Sequence, residues 1–134
     1  MKFIKLLSIV FFLVASISSC KKDNDNPPVT PASIEGVWVG KFGNGNAAPS
    51  SFFSFNFKAN GVLEELTQTG EVKGVGTWDI ENNLIDGYTI NILAPVGNKY
   101  SVIGSYNASV KKILGNWGFG NSVTDGGMWE MAKK

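Results

Sequence analysis

The segment Ser51–Lys58 constrains the fold more than any other. Phe53, Phe55 and Phe57 alternate there with Ser54, Asn56 and Lys58. A period of two places three rings on one face of an extended strand and three polar side chains on the other. Such a strand must bury its apolar face in a sheet. From Gly36 onward the chain repeats the theme, with runs of aromatic and β-branched residues split by glycine and asparagine. Strands are expected at Gly36–Phe42, Ser51–Lys58, Val62–Thr67, Val72–Ile80, Leu84–Leu93, Lys99–Tyr106, Ile113–Phe119 and Met128–Ala132. On the fourth, Val72, Trp78 and Ile80 are expected on one face, and Lys73, Thr77 and Asp79 on the other. Ala59-Asn60-Gly61 and Glu81-Asn82-Asn83 read as tight turns, because asparagine and glycine tolerate positive φ. No helix-period stretch of adequate length is present after Ser33.

Eight sequential strands with short connections predict an all-β fold, an antiparallel up-and-down meander. Left open, it would expose two unpaired edges, and closing into a β-barrel removes them. In such a barrel alternate connections share an end. One end collects loops of about eight, four, five and eight residues, and the other about three, three and six. The loop-rich end is the expected mouth, and an interior of eight strands either fills with side chains or holds one small ligand.

The absences limit function. The chain has no histidine, and all twelve of its basic residues are lysine. Without arginine, nucleic-acid binding loses its main fork for phosphate. Without histidine, the commonest general base and the commonest metal ligand are missing. Residues 34–134 carry eight lysines and nine acids, a formal net charge of −1. We expect no metal, no cofactor, no nucleic-acid partner and no enzyme activity, and a monomer. Glu64 and Glu65 are adjacent in a strand and point to opposite faces, so they cannot converge. Asp79 and Glu81 could share a face, but one at a turn. Glycoside hydrolysis needs two carboxyls facing across a cleft. An enzyme would need a buried carboxylate pair, or a carboxylate and a tyrosine, in one pocket.

Among the aromatics, Trp38 and Trp78 fall toward the tight end and are expected to plug it. Trp117 and Trp129 flank the Gly120–Gly127 loop at the mouth. The expected ligand-lining residues are Trp117, Trp129, Phe119, Tyr88, Tyr100 and Tyr106, with core packing as the competing role for each. Asn44, Asn46, Asn121 and Asp125 form mouth loops and could offer hydrogen bonds to a ligand.

The N-terminus is organised differently. Lys2 and Lys5 precede Leu6–Ile17, twelve residues that are apolar except for Ser8 and Ser16. That is short of the ~20 residues a bilayer-spanning helix needs, but it suits the apolar region of a signal peptide. Ile17-Ser18-Ser19-Cys20 follows, with the chain's one cysteine at its end. This run resembles the lipobox of bacterial lipoproteins. The resemblance implies a signal peptide over residues 1–19, a diacylglycerol thioether on Cys20, and a membrane anchor of two or three acyl chains, enough for stable attachment. Lys21-Lys22-Asp23-Asn24-Asp25-Asn26 resembles the tag that sends Bacteroidetes lipoproteins to the outer face of the outer membrane. A plain solvated tether would have the same composition, which leaves the periplasmic face open. Residues 20–33, with Pro27, Pro28 and Pro31, read as an extended spacer, and residues 34–134 as one domain.

Gly36-Val37-Trp38 resembles the Gly-x-Trp signature of calycins, the lipocalins and fatty-acid-binding proteins. Met128-Trp129-Glu130-Met131 resembles the closing strand of short lipocalin-like domains in Bacteroidetes lipoproteins. The resemblance covers residues 34–134. It implies a barrel binding a small apolar or amphipathic ligand, and a cation packed over Trp38. Since arginine is absent, Lys111, Lys112 and Lys133 are the candidates for that cation. The other reading is a filled barrel that serves as a structural or interaction protein toward an envelope partner.

Overall fold

The computed structural model describes residues 30–134. The signal-like segment, Cys20 and the tag after it lie outside the described residues. A single helical turn, α1 (Pro31–Ile34), leads into eight strands: β1 (Gly36–Phe42), β2 (Ser51–Lys58), β3 (Val62–Leu66), β4 (Val72–Glu81), β5 (Leu84–Asn91), β6 (Lys99–Asn107), β7 (Lys112–Phe119) and β8 (Gly127–Lys133). Each strand pairs with its sequence neighbours, and β1 pairs antiparallel with β8 to close the barrel. The fold is therefore an eight-stranded up-and-down barrel of the lipocalin-like kind. Among the described residues no helix is long and apolar enough to cross a membrane.

Several boundaries differ from expectation by one or two residues, and two of these differences have clear local reasons. Asn82 and Asn83 both take positive φ, at 49° and 70°. They make a two-residue hairpin loop, so the ladder continues to the Glu81–Leu84 pair. β5 ends at Asn91 rather than Leu93, because the Asn91 Oδ1 atom accepts the Leu93 amide at 2.8 Å. The Ile92 amide still bonds across to the Lys73 carbonyl on β4 at 2.9 Å, in line with the Gly74–Asn91 pair, and the chain leaves the sheet after it.

The strand bounds sort the connections by end. Residues 43–50, 67–71, 92–98 and 120–126 lie at one pole, and residues 59–61, 82–83 and 108–111 at the other. The tight pole is solidly filled. Ile34 is fully buried, and its carbonyl accepts the Trp38 indole N–H at 2.7 Å. Trp38 meets Tyr106 and Phe57 edge to face, with centroids 5.7 and 6.4 Å apart. Phe57 meets Trp78 at 5.1 Å, and the Trp78 N–H donates to the Lys58 carbonyl at 3.0 Å. Edge-to-face pairs of this kind contribute ~0.5–1.5 kcal/mol each beyond their burial. The cation over Trp38 is Lys133. It lies opposite Trp38 in the β1–β8 register, with Nζ 5.8 Å from the ring and 3.1 Å from the Ser33 carbonyl.

Above this plug lies Trp129, 1% exposed, packed 6.1 Å from both Phe53 and Phe55. Its place depends on a glycine. A Cβ on Gly104 would stand 2.7 Å from Trp129 Cζ2, so the indole occupies the space that a side chain on β6 would otherwise take.

Candidate functional site

At the loop-rich pole the packing is incomplete. A cavity of about 210 Å³ opens there between the ends of the strands. One wall is aromatic, formed by Phe42, Phe53, Phe55, Tyr100, Trp117 and Phe119. Inward alternation produces this wall: Phe53 and Phe55 come from β2, and Trp117 and Phe119 from β7. Trp117 is its pivot, with ring centroids 5.6 Å from Phe42, 6.1 Å from Tyr100 and 5.1 Å from Phe119. The Trp117 N–H donates to the Gly43 carbonyl at 3.0 Å. The Gly45 amide donates to the Gly126 carbonyl at 2.7 Å, and the Gly126 amide to the Trp117 carbonyl at 3.0 Å. Trp117 thus ties the 43–50 and 120–126 loops together and is itself held in a fixed pose.

The opposite wall is polar, and it was not among the expected site residues. Glu65, Lys73, Thr89 and Asn91 line it. Glu65 points inward beside Leu63, while Glu64 points out to Lys58 and Asn56, each at 3.0 Å. The Glu65 carboxylate is engaged on both oxygens. Oε1 lies 2.9 Å from Lys73 Nζ, and Oε2 accepts the Thr89 hydroxyl at 3.1 Å. Gly74 leaves room for this group, since a Cβ there would sit 3.3 Å from Oε2.

Lys73 was expected on the face of β4 shared by Thr77 and Asp79, opposite Trp78. A β-bulge moves it. Glu65 pairs with Gly74 and Leu66 with Val72, so Lys73 is an extra residue on β4 opposite no partner. A bulge re-aims its side chain, here into the mouth. No signal in the β4 sequence alone marks it. Glu65 was more accessible to sequence reasoning, because it follows the buried Leu63 at a spacing of two.

The expected lining residues separate. Trp117, Phe119 and Tyr100 come together at the cavity. Trp129 does not, because it enters β8 deeper and lies under Phe53 and Phe55, its N–H donating to the Asn116 carbonyl at 2.8 Å. Tyr106 is at the far pole against Trp38. Tyr88 is on the outer surface. Ile85, Gly87 and Thr89 are the buried residues of β5 and fix its inward parity, so Tyr88 points out, with Lys99 Nζ 4.4 Å from its ring centroid. Of the loop residues, Asp125 accepts the Phe119 amide at 2.8 Å and Asn121 accepts Lys99 Nζ at 2.7 Å. Both are occupied in holding the rim.

The hydrogen bond from Lys58 holds the Glu64 carboxyl below 4.5, helped by Asn56 and opposed by partial burial. It lies outside the barrel and stabilises the β2–β3 hairpin.

Fold and site together define a small, closed, lipocalin-like barrel with one end plugged and a two-sided pocket at the other. No family model, curated protein or solved structure matches the chain.

Proposed function

We propose that this protein is a non-catalytic, lipid-anchored binding barrel of the bacterial envelope, taking a small amphipathic molecule into its loop-rich end. The cavity carries the reading: about 210 Å³, aromatic on one side and polar on the other. A dry apolar cavity of ~150 Å³ already takes benzene, so this volume accommodates a single ring with a short substituent. It is below the ~300–1,000 Å³ typical of drug-sized ligands, and a long acyl chain does not fit whole. Anchorage rests on the lipobox resemblance at Cys20. The described chain enters the barrel at the plugged pole through α1.

A second reading has one observation in its favour. Ile92, Leu93 and Val96 project from the 92–98 loop and are 56–78% exposed. An apolar loop tip of this kind suits contact with another envelope protein. Glu65 and Tyr100 also share the pocket, as an acid–base enzyme would need. With both Glu65 oxygens engaged, however, the carboxylate is placed to hold Lys73 rather than to move a proton.

Titration with fatty acids, sterols, porphyrins, sugars and single-ring aromatics, read by tryptophan fluorescence, tests the binding reading. Single-ring compounds are expected to respond and long-chain lipids not. Silence across the whole panel overturns the reading. Anchorage is tested separately by palmitate labelling, which Cys20→Ala should abolish.

A further inference from the structure

The polar wall of the mouth cavity presents one cation, Lys73, together with several hydrogen-bond donors that have no partner among the described residues. Among the described residues Glu65 is the one acid that lines the cavity, and both its oxygens are already engaged, by Lys73 and by Thr89. An ammonium has three protons, and Lys73 gives one direction to Glu65. Its other protons have no partner among the described residues, and the side chain, 32% exposed against 8% for Glu65, lines the cavity. Asn91 uses its oxygen on the Leu93 amide, which leaves its NH₂ group without a partner among the described residues. The Tyr100 hydroxyl has none there either, and Tyr100 also lines the cavity.

A ligand entering this space displaces water from those donors. A plain hydrocarbon ring would leave them unsatisfied, at ~1–3 kcal/mol for each buried group. A cationic ligand would have to sit beside the Lys73 ammonium and compete with it for Glu65. A ligand with acceptor oxygens meets every free donor, and an anionic acceptor gains charge-assisted bonds of roughly twice the neutral strength. We infer that the site selects a small aromatic carboxylate, its ring against Trp117, Phe42 and Phe119 and its carboxylate on Lys73, Asn91 and Tyr100. Glu65 does not touch this ligand. It is a positioning residue that holds the bulged Lys73 ammonium inside the mouth. The inference rests on the binding reading above and specifies its ligand class.

The test uses the full-length chain in lipid nanodiscs, with empty nanodiscs as blank, and isothermal titration with four near-isosteric probes. These are phenylacetate, phenylacetamide, phenethylamine and ethylbenzene. Phenylacetate is expected to bind at least ~10-fold more tightly than phenylacetamide, the equivalent of ~1.4 kcal/mol, and phenethylamine least of the polar three. Lys73→Met should narrow the gap between phenylacetate and phenylacetamide to under ~3-fold. If that variant fails to fold, Glu65→Gln/Lys73→Met, which strands no charge, carries the same comparison. Phenylacetamide or phenethylamine binding as tightly as phenylacetate overturns the carboxylate assignment and leaves the pocket reading intact. An unchanged gap in the variants overturns the role of Lys73. Silence of all four probes overturns both the assignment and the pocket reading.

Discussion

Removing the Lys73 ammonium should strand a buried charge, and the structure gives the size of the effect. Lys73→Met keeps most of the aliphatic stem and deletes the cation. Glu65 is then left inside the barrel mouth at 8% side-chain exposure, with the Thr89 hydroxyl at 3.1 Å as its remaining partner. Breaking a fully buried pair costs ~3–5 kcal/mol, because the survivor has no compensation. Lys73 is 32% exposed, so water reaches the site and the expected loss falls to ~1.5–3 kcal/mol. With an m-value of about 1.5 kcal/mol/M, urea unfolding followed by tryptophan emission should show a midpoint ~1–2 M lower. Glu65→Gln/Lys73→Met removes both charges and keeps an acceptor for Thr89, so it should return to within ~1 kcal/mol of the unmodified protein. The reasoning fails if the single variant stays within ~0.3 M of the unmodified midpoint. It fails equally if the double variant falls as far as the single one.

Other positions give independent checks. Gly104→Ala forces a Cβ to 2.7 Å from Trp129 Cζ2 and 2.9 Å from Ile113 Cγ2. Overpacking of this kind costs ~1–3 kcal/mol, visible as a lower thermal midpoint, and an unchanged midpoint would mean the indole can move aside. Trp117→Phe keeps a ring but loses the bond to the Gly43 carbonyl. Faster hydrogen exchange at the Gly45 and Gly126 amides is expected, with a stability loss of ~1–2 kcal/mol. Because the folded protein holds the Glu64 carboxyl below 4.5, its stabilising contribution is complete above that value and is lost as pH falls through the lowered one. Glu64→Gln should therefore flatten the acid limb of the stability profile below about pH 4.5. An identical limb in both proteins would exclude Glu64 as a contributor.

Much of the barrel was legible because its signals are local. The alternation of Phe53, Phe55 and Phe57 states the inward face of β2 without reference to any other strand. The Asn82-Asn83 and Asn60-Gly61 pairs mark turns through the backbone angles they tolerate. The site was legible in part. Trp117, Phe119 and Tyr100 stand near strand ends, where a ring must face the mouth or solvent. Tyr88 was ambiguous, since Ile85 and Ile90 have opposite parity on the same strand and only burial decides between them. Trp129 looked like a mouth residue from its place in β8, and its depth depends on space left by Gly104 two strands away. Lys73 was the least accessible of all. Its inward turn comes from a register shift between β3 and β4, and a shift is a property of the pair.

The seam between β1 and β8 also sets how the molecule would respond to tension. The Gly36 end of β1 and the Lys133 end of β8 lie at the same pole, where the Lys134 amide donates to the Val37 carbonyl at 2.9 Å. Pulling residues 30 and 134 apart therefore loads the seam from one end, and its hydrogen bonds break one after another instead of sharing the load. A force applied instead between residue 134 and the 43–50 loop would act along the strands and strain several rungs together. The barrel should thus be mechanically weak when pulled by its ends and considerably stronger along the strand direction. The seam would part first at the plugged pole, beside Trp38 on β1, while the mouth pocket is still largely walled.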